Sequence, residues 1–158
     1  MYRDEKGVRH ATVTEHGIYG FFSEHKWLSN FGAGAVELDG VRYPTSEHAY
    51  MAEKVRDIKL REQIAAQSSP GAAKHFTAAL PWREDWADYR PHAMLRVLRA
   101  KFAQNPALAM QLLDTGTRYL EETNTWGDTY WGVCEGEGLN MLGKTLMQVR
   151  DELRRRYT

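Results

Sequence analysis

Apolar and polar positions change their spacing several times along the chain, and each change predicts an element. "AVELDGVRY" (35–43) alternates apolar and polar on both sides of Asp39-Gly40, a favoured pair for a tight turn, which predicts a β-hairpin. "GIYGFF" (17–22) predicts a short strand, and "SEHKWLSNFGAG" between the two predicts an aromatic and polar loop. Pro44 ends the hairpin, and Thr45 or Ser46 can cap a helix running to about Val55. "IKLREQIAAQ" predicts a short amphipathic helix, and Ser69-Pro70 opens another through "PGAAKHFTAAL". "PWREDWADYR" predicts a connecting segment. The strongest helical stripe follows in "PHAMLRVLRAKFAQ" (91–104), where Met94, Leu95, Leu98 and Phe102 share a face. Asn105-Pro106 stops that helix and starts "ALAMQLLDT"; then "TRYLEET" predicts a strand, "NTWGDTYWGVCEGEGLN" a loop and "NMLGKTLMQVRDELRRRY" a last helix. The expectation is a mainly helical α+β fold with a few short strands: one domain over 17–158 behind a polar segment, 1–16.

Composition narrows the function classes. At 158 residues and 42% apolar content the chain can bury a core without a metal or disulfide staple. Lys plus Arg equals Asp plus Glu at 21 each, so no broad positive field exists to hold duplex nucleic acid. The single cysteine, Cys134, excludes an internal disulfide framework and suits a reducing cytoplasm. No stretch approaches the ~20 apolar residues of a membrane span. The six histidines include no HExxH pair or close cluster, so neither a metal nor another cofactor is expected. Five tryptophans, Trp27, Trp82, Trp86, Trp126 and Trp131, offer stacking faces for a flat ligand or filling for an irregular core.

Three segments carry candidate chemistry. In "PTSEHAYMAEK" (44–54), Glu47, Tyr50, Met51 and Lys54 share a helix face too polar for a core stripe. Glu47 lies near the helix start, where the dipole favours an ionised carboxylate; the alternative is a dipole partner with Lys54 as a solvated ammonium. In "WGDTYWG" (126–132), Asp128 is either a site residue or the turn of a hairpin at Gly127-Asp128. In "EGEGLNMLGK", Asn140 can cap the last helix, and free amides with Lys144 there suggest a phosphate cradle that Arg150 either reaches or leaves for solvent.

Taken in order, "YGFFSEHKWLSNF", "ELDGVRYPTSEHAYMAEK", "KFAQNPALAMQLLDT", "DTYWG" and "GEGLNMLGKTLMQVR" resemble the NADAR, or YbiA-like, family over roughly residues 19 to 155. The resemblance implies a mostly helical fold and hydrolysis of N-glycosidic bonds on ribose-phosphate or ADP-ribose substrates. One branch is linked to reactive early intermediates of riboflavin biosynthesis, others to removal of ADP-ribose from guanine. Glu47 matches the family's characteristic acid, Asp128 and Trp131 its "DxxWG" element, and Asn140, Gly143 and Lys144 its "GxNxLGK" element. Met51, Val133 and the inserted "EHK" (24–26) depart from the common pattern.

Breaking a ribosyl C1–N bond builds positive charge on the sugar, and a fixed carboxylate stabilises it. The expected catalytic groups are Glu47, Asp128 and Lys54, with Lys54 or His48 as proton source or Lys54 as a Schiff-base amine. Trp27, Phe31 and Trp131 are expected to stack on the heterocycle and Lys144 to hold phosphate; Asn30, Ser46, His48, Tyr50, Gly132, Asn140 and Gly143 complete the expected substrate-binding set. The first expected partner is a small phosphorylated ribosyl substrate. An ADP-ribosyl-guanine adduct, free or in nucleic acid, is the second, and a non-catalytic ADP-ribose-binding module is the third reading.

Overall fold

The computed structural model describes residues 1–157. Residues 1–29 hold strands β1 (Tyr2–Arg3), β2 (Arg9–His10), β3 (Thr12–Val13) and β4 (Gly17–Tyr19), then a 3-10 helix, Ser23–Leu28. Next come β5 (Val36–Leu38), β6 (Val41–Tyr43), α1 (Ser46–Glu53), α2 (Ile58–Ala65), α3 (Pro70–Ala78) and α4 (Trp86–Gln104). The remainder is α5 (Pro106–Asp114), β7 (Tyr119–Glu121), β8 (Thr123–Asn124), β9 (Val133–Cys134) and α6 (Met141–Tyr157). The mainly helical α+β expectation holds. The chain divides into two compact units: Asn30–Pro106 is continuous, and Met1–Ser29 joins the chain from Ala107 on.

In the continuous unit, Asp39 and Gly40 both take positive φ, 52° and 79°, the backbone that lets β5 and β6 pair antiparallel across a two-residue turn. Polar side chains start the helices that follow. Thr45 Oγ1 accepts from His48 N–H at 3.2 Å, Asp57 from Lys59 N–H at 2.8 Å and Ser69 from Ala72 N–H at 3.0 Å. The hairpin and α2, α3 and α4 pack around α1, so every residue from Ser46 to Glu53 is buried. The "WADYR" segment is not a connector: α4 begins at Trp86 and runs through Pro91. Arg83 grips Asp85 with two hydrogen bonds, 2.6 and 3.0 Å, and Trp86 buries its ring, so packing overrides the proline and the local charge.

In the other unit, β4 lies between antiparallel β3 and parallel β7. The loop expected before the first hairpin contains the 3-10 helix. β8 and β9 run parallel, which rules out a hairpin turning at Gly127-Asp128. α6 lies close on β7 because Gly143 has no side chain; a Cβ there would stand 2.0 Å from Leu120 O. Asn140 stands at the start of α6, its carbonyl accepting from Lys144 N–H at 2.9 Å, but its side chain does not cap the helix. Its φ is 53°, and its amide belongs to the strand region: Nδ2 donates to Leu120 O and Tyr119 Oη, and Oδ1 accepts from Glu122 N–H. Arg150 is neither solvated nor a ligand arm, since it is buried and donates to Thr115 Oγ1 and Arg118 O.

Candidate active site

α1 places Glu47, Tyr50, Met51 and Lys54 along one face, as their spacing predicts. Glu47 is 7% exposed, and among the described residues its carboxylate takes part in no hydrogen bond or ion pair. Burial pushes its carboxyl up from 4.5 to about 7, while the ammonium groups of Lys74 and Lys54 pull the other way. Loss of water outweighs the helix start, so Glu47 is not the readily ionised carboxylate that the dipole alone predicts. Lys54 is not a solvated ammonium either, because burial draws it from 10.5 down to about 8 against the pull of Glu47.

Aromatic rings surround Lys54. Its Nζ stands 4.1 Å from the Trp82 ring centre, 5.7 Å from Trp86 and 5.8 Å from Tyr50. Tyr50 comes from α1 itself and Trp86 from the start of α4, while the turn after α3 places Trp82: Arg83 N–H donates to Lys54 O at 2.7 Å and Trp82 Nε1–H to Thr77 O at 2.9 Å. Asn30 O accepts from Glu47 N–H at 3.0 Å and from Ser46 Oγ at 3.4 Å, holding that strand of chain against the start of α1. The Asn30 side chain is buried with Nδ2 against Met94 Sδ and Oδ1 without a partner. His48 spends both ring nitrogens on the fold, Nδ1 on Thr45 Oγ1 at 2.8 Å and Nε2 on Gln67 O at 3.0 Å. Phe31 is 40% exposed.

In the other unit, Asn124 closes the loop before Asp128, donating to Asp128 O and accepting from Asp128 N–H. Asp128 Oδ1 accepts from the amides of Tyr130 and Trp131, at 3.2 and 2.9 Å, while Oδ2 has no hydrogen bond among the described residues. The "DTYWG" and "GLNMLG" segments lie side by side: the amides of Leu139, Asn140, Met141 and Leu142 donate to the carbonyls of Thr129, Gly132, Tyr130 and Trp131. Those four amides are thus not free for a phosphate; the Lys144 side chain is exposed. Gly132 is needed for the approach, since a Cβ would meet Glu122 O at 2.1 Å. Trp27 and Trp131 are each half-buried.

The motif segments are thus tied into compact backbone arrangements, and a NADAR domain family model matches residues 12–154. The chain belongs to the NADAR family. Among its relatives, the N-glycosidase YbiA of Escherichia coli is 38% identical over 147 residues, covering 89% of this chain and 91% of that protein. A riboflavin biosynthesis protein of Vibrio vulnificus is 37% identical over 148 residues, which are 90% of this chain and 40% of that longer protein. The NMR structure of the E. coli protein YbiA superposes with a TM-score of 0.79 at 34% identity, covering 92% of this chain and 89% of that one.

Within this NADAR chain two features escaped the sequence reading. Lys74 lies on the exposed face of α3 and gives no local sign that it neighbours Glu47. Trp82 and Trp86 are visible as tryptophans four residues apart, but their convergence on Lys54 depends on the turn after α3. No group of three or more His, Cys, Asp and Glu among the described residues is placed to hold a metal, and no described helix is long and apolar enough to cross a membrane.

Proposed function

We propose that the chain, as an N-glycosidase of the NADAR family, hydrolyses the ribosyl C1–N bond of a phosphorylated intermediate of riboflavin biosynthesis. One observation carries the reading: Glu47 is a buried carboxylate without hydrogen bond or ion pair, beside two ammonium groups. A buried, unpaired carboxylate costs stability, and a sugar that gains positive charge as C1–N breaks supplies the partner it lacks. With its carboxyl near 7, Glu47 also matches the duty of a general base that takes the proton of the water adding to C1. In the same unit as Glu47, Asn30 offers its unpartnered Oδ1 to a ribose hydroxyl. Phe31, in the same unit and 40% exposed, offers a stacking face for the heterocycle.

The names of the E. coli and Vibrio relatives support the N-glycosidic bond and the riboflavin connection, and the neutral charge balance favours a small substrate over nucleic acid. Side-by-side assays on a phosphorylated riboflavin-pathway intermediate and on an ADP-ribosyl-guanine oligonucleotide test the choice. Release of free base from the first and not the second is expected; the reverse transfers the chain to the ADP-ribosyl-guanine branch. Binding of either ligand by calorimetry with no product supports the non-catalytic module.

A second chemistry is favoured by one observation, the amine of Lys54 drawn down to about 8. A deprotonated lysine can attack C1 of the opened ribose, expel the nitrogen base as an imine forms, and be regenerated when water hydrolyses that imine.

A further inference from the structure

Lys54 and Glu47 occupy the same face of α1 and feel one another's charge, yet no ion pair joins them among the described residues. Helical side chains lean toward the helix start, so an unrestrained Lys54 would lean toward Glu47. The rings intervene. Trp82 holds its face 4.1 Å from Nζ, its own position fixed by Nε1–H donating to Thr77 O at 2.9 Å. Behind it, Trp86 meets Trp82 edge-on at 6.4 Å and Tyr50 at 5.3 Å, which braces the cage.

We propose that Trp82 is a positioning residue that holds the Lys54 ammonium off the Glu47 carboxylate, keeping the space between acid and amine for the substrate sugar. A cation over an indole face keeps its charge and remains oriented while making no hydrogen bond to the acid. A direct ion pair in its place would fill that space and tie up both groups. The charged groups that act on Glu47 are Lys54, at the end of its own helix, and Lys74, from α3; only Lys54 is caged by the rings.

The inference rests on the proposed role of the Glu47–Lys54 face, and it is tested without measuring turnover. The Glu47 carboxyl is titrated by 13C NMR in protein labelled at glutamate, its resonance assigned by its loss in Glu47→Gln. The starting value is about 7. In Trp82→Leu the released ammonium reaches Glu47, and the titration midpoint falls by about one pH unit or more. Trp82→Phe retains a π face and keeps the midpoint near that of the parent protein. In a Lys54→Met background, Trp82→Leu produces no fall, because the cation that moves is absent. An unchanged midpoint in Trp82→Leu, or an equal fall with Lys54→Met, overturns the proposal. Trp82 is 43% exposed, so neither substitution opens a core cavity. Undiminished turnover in Glu47→Gln would instead defeat the reading of the reaction and leave the titration result standing.

Discussion

Glu47→Gln should stabilise the folded chain at alkaline pH. The Glu47 carboxyl lies at 4.5 when free and at about 7 in place, so between those values the folded chain keeps a proton that the unfolded chain has released. Stability contributed at low pH is therefore lost as pH rises through that window, and the full deficit is present above it. The gap from 4.5 to about 7, at about 1.4 kcal/mol per pH unit, amounts to about 3 kcal/mol. Glutamine is neutral at every pH and of nearly the same shape; leaving its amide without partners gives back about 1 kcal/mol. A net gain of about 2 kcal/mol corresponds to a melting temperature higher by about 4–8 °C for a chain of this size. Melts followed by circular dichroism at about pH 8.5 should show that gain, and melts at about pH 5, where both side chains are neutral in the fold, should show none. A variant no more stable than the parent at the higher pH, or a difference identical at the two pH values, would refute the idea that an unpaired buried charge resides at Glu47.

The same variant should lose more than ~100-fold in turnover while still binding ligand by calorimetry, and near-unchanged turnover would remove Glu47 from the mechanism. With Glu47 as base, borohydride added during turnover should leave no sugar on the protein; a trapped adduct that disappears in Lys54→Arg would move the assignment to lysine chemistry. Gly143→Ala places a Cβ 2.0 Å from Leu120 O, so α6 must move and stability should drop by about 1–3 kcal/mol or more in a denaturant titration; an unchanged midpoint would show that the approach of α6 to β7 is not tight.

Local chemistry was legible where one or two residues decide the backbone. Asp39-Gly40 announced the hairpin, and Thr45 and Ser69-Pro70 announced helix starts, because turns and caps are short-range. The first turns of α4 were hidden by Pro91 and by charges that Arg83 and Asp85 satisfy between themselves. Strand pairing was hidden too, since β4 with β7 and β8 with β9 are parallel and no turn residue encodes them. At the candidate site, the shared face of Glu47 and Lys54 followed from helical spacing alone. The sign of the Glu47 shift did not, because a dipole argument counts one helix end whereas burial depends on α2, α3, α4 and the hairpin closing around α1. Asn140 takes the position before α6 that the sequence suggests, but its side chain answers to residues about 20 positions earlier, which no local pattern reveals.

The split of one unit into two stretches of sequence has a consequence for biosynthesis. A nascent chain that has left the ribosome as far as Pro106 already contains the whole of the Asn30–Pro106 unit, whereas β4 still waits for β7, whose residues begin at Tyr119. The acid–amine face of α1 can therefore mature during translation, while the unit built from both chain segments closes late, after a long loop-closure search. Until then β4 presents an unpaired parallel edge, the kind of surface that chaperones shield.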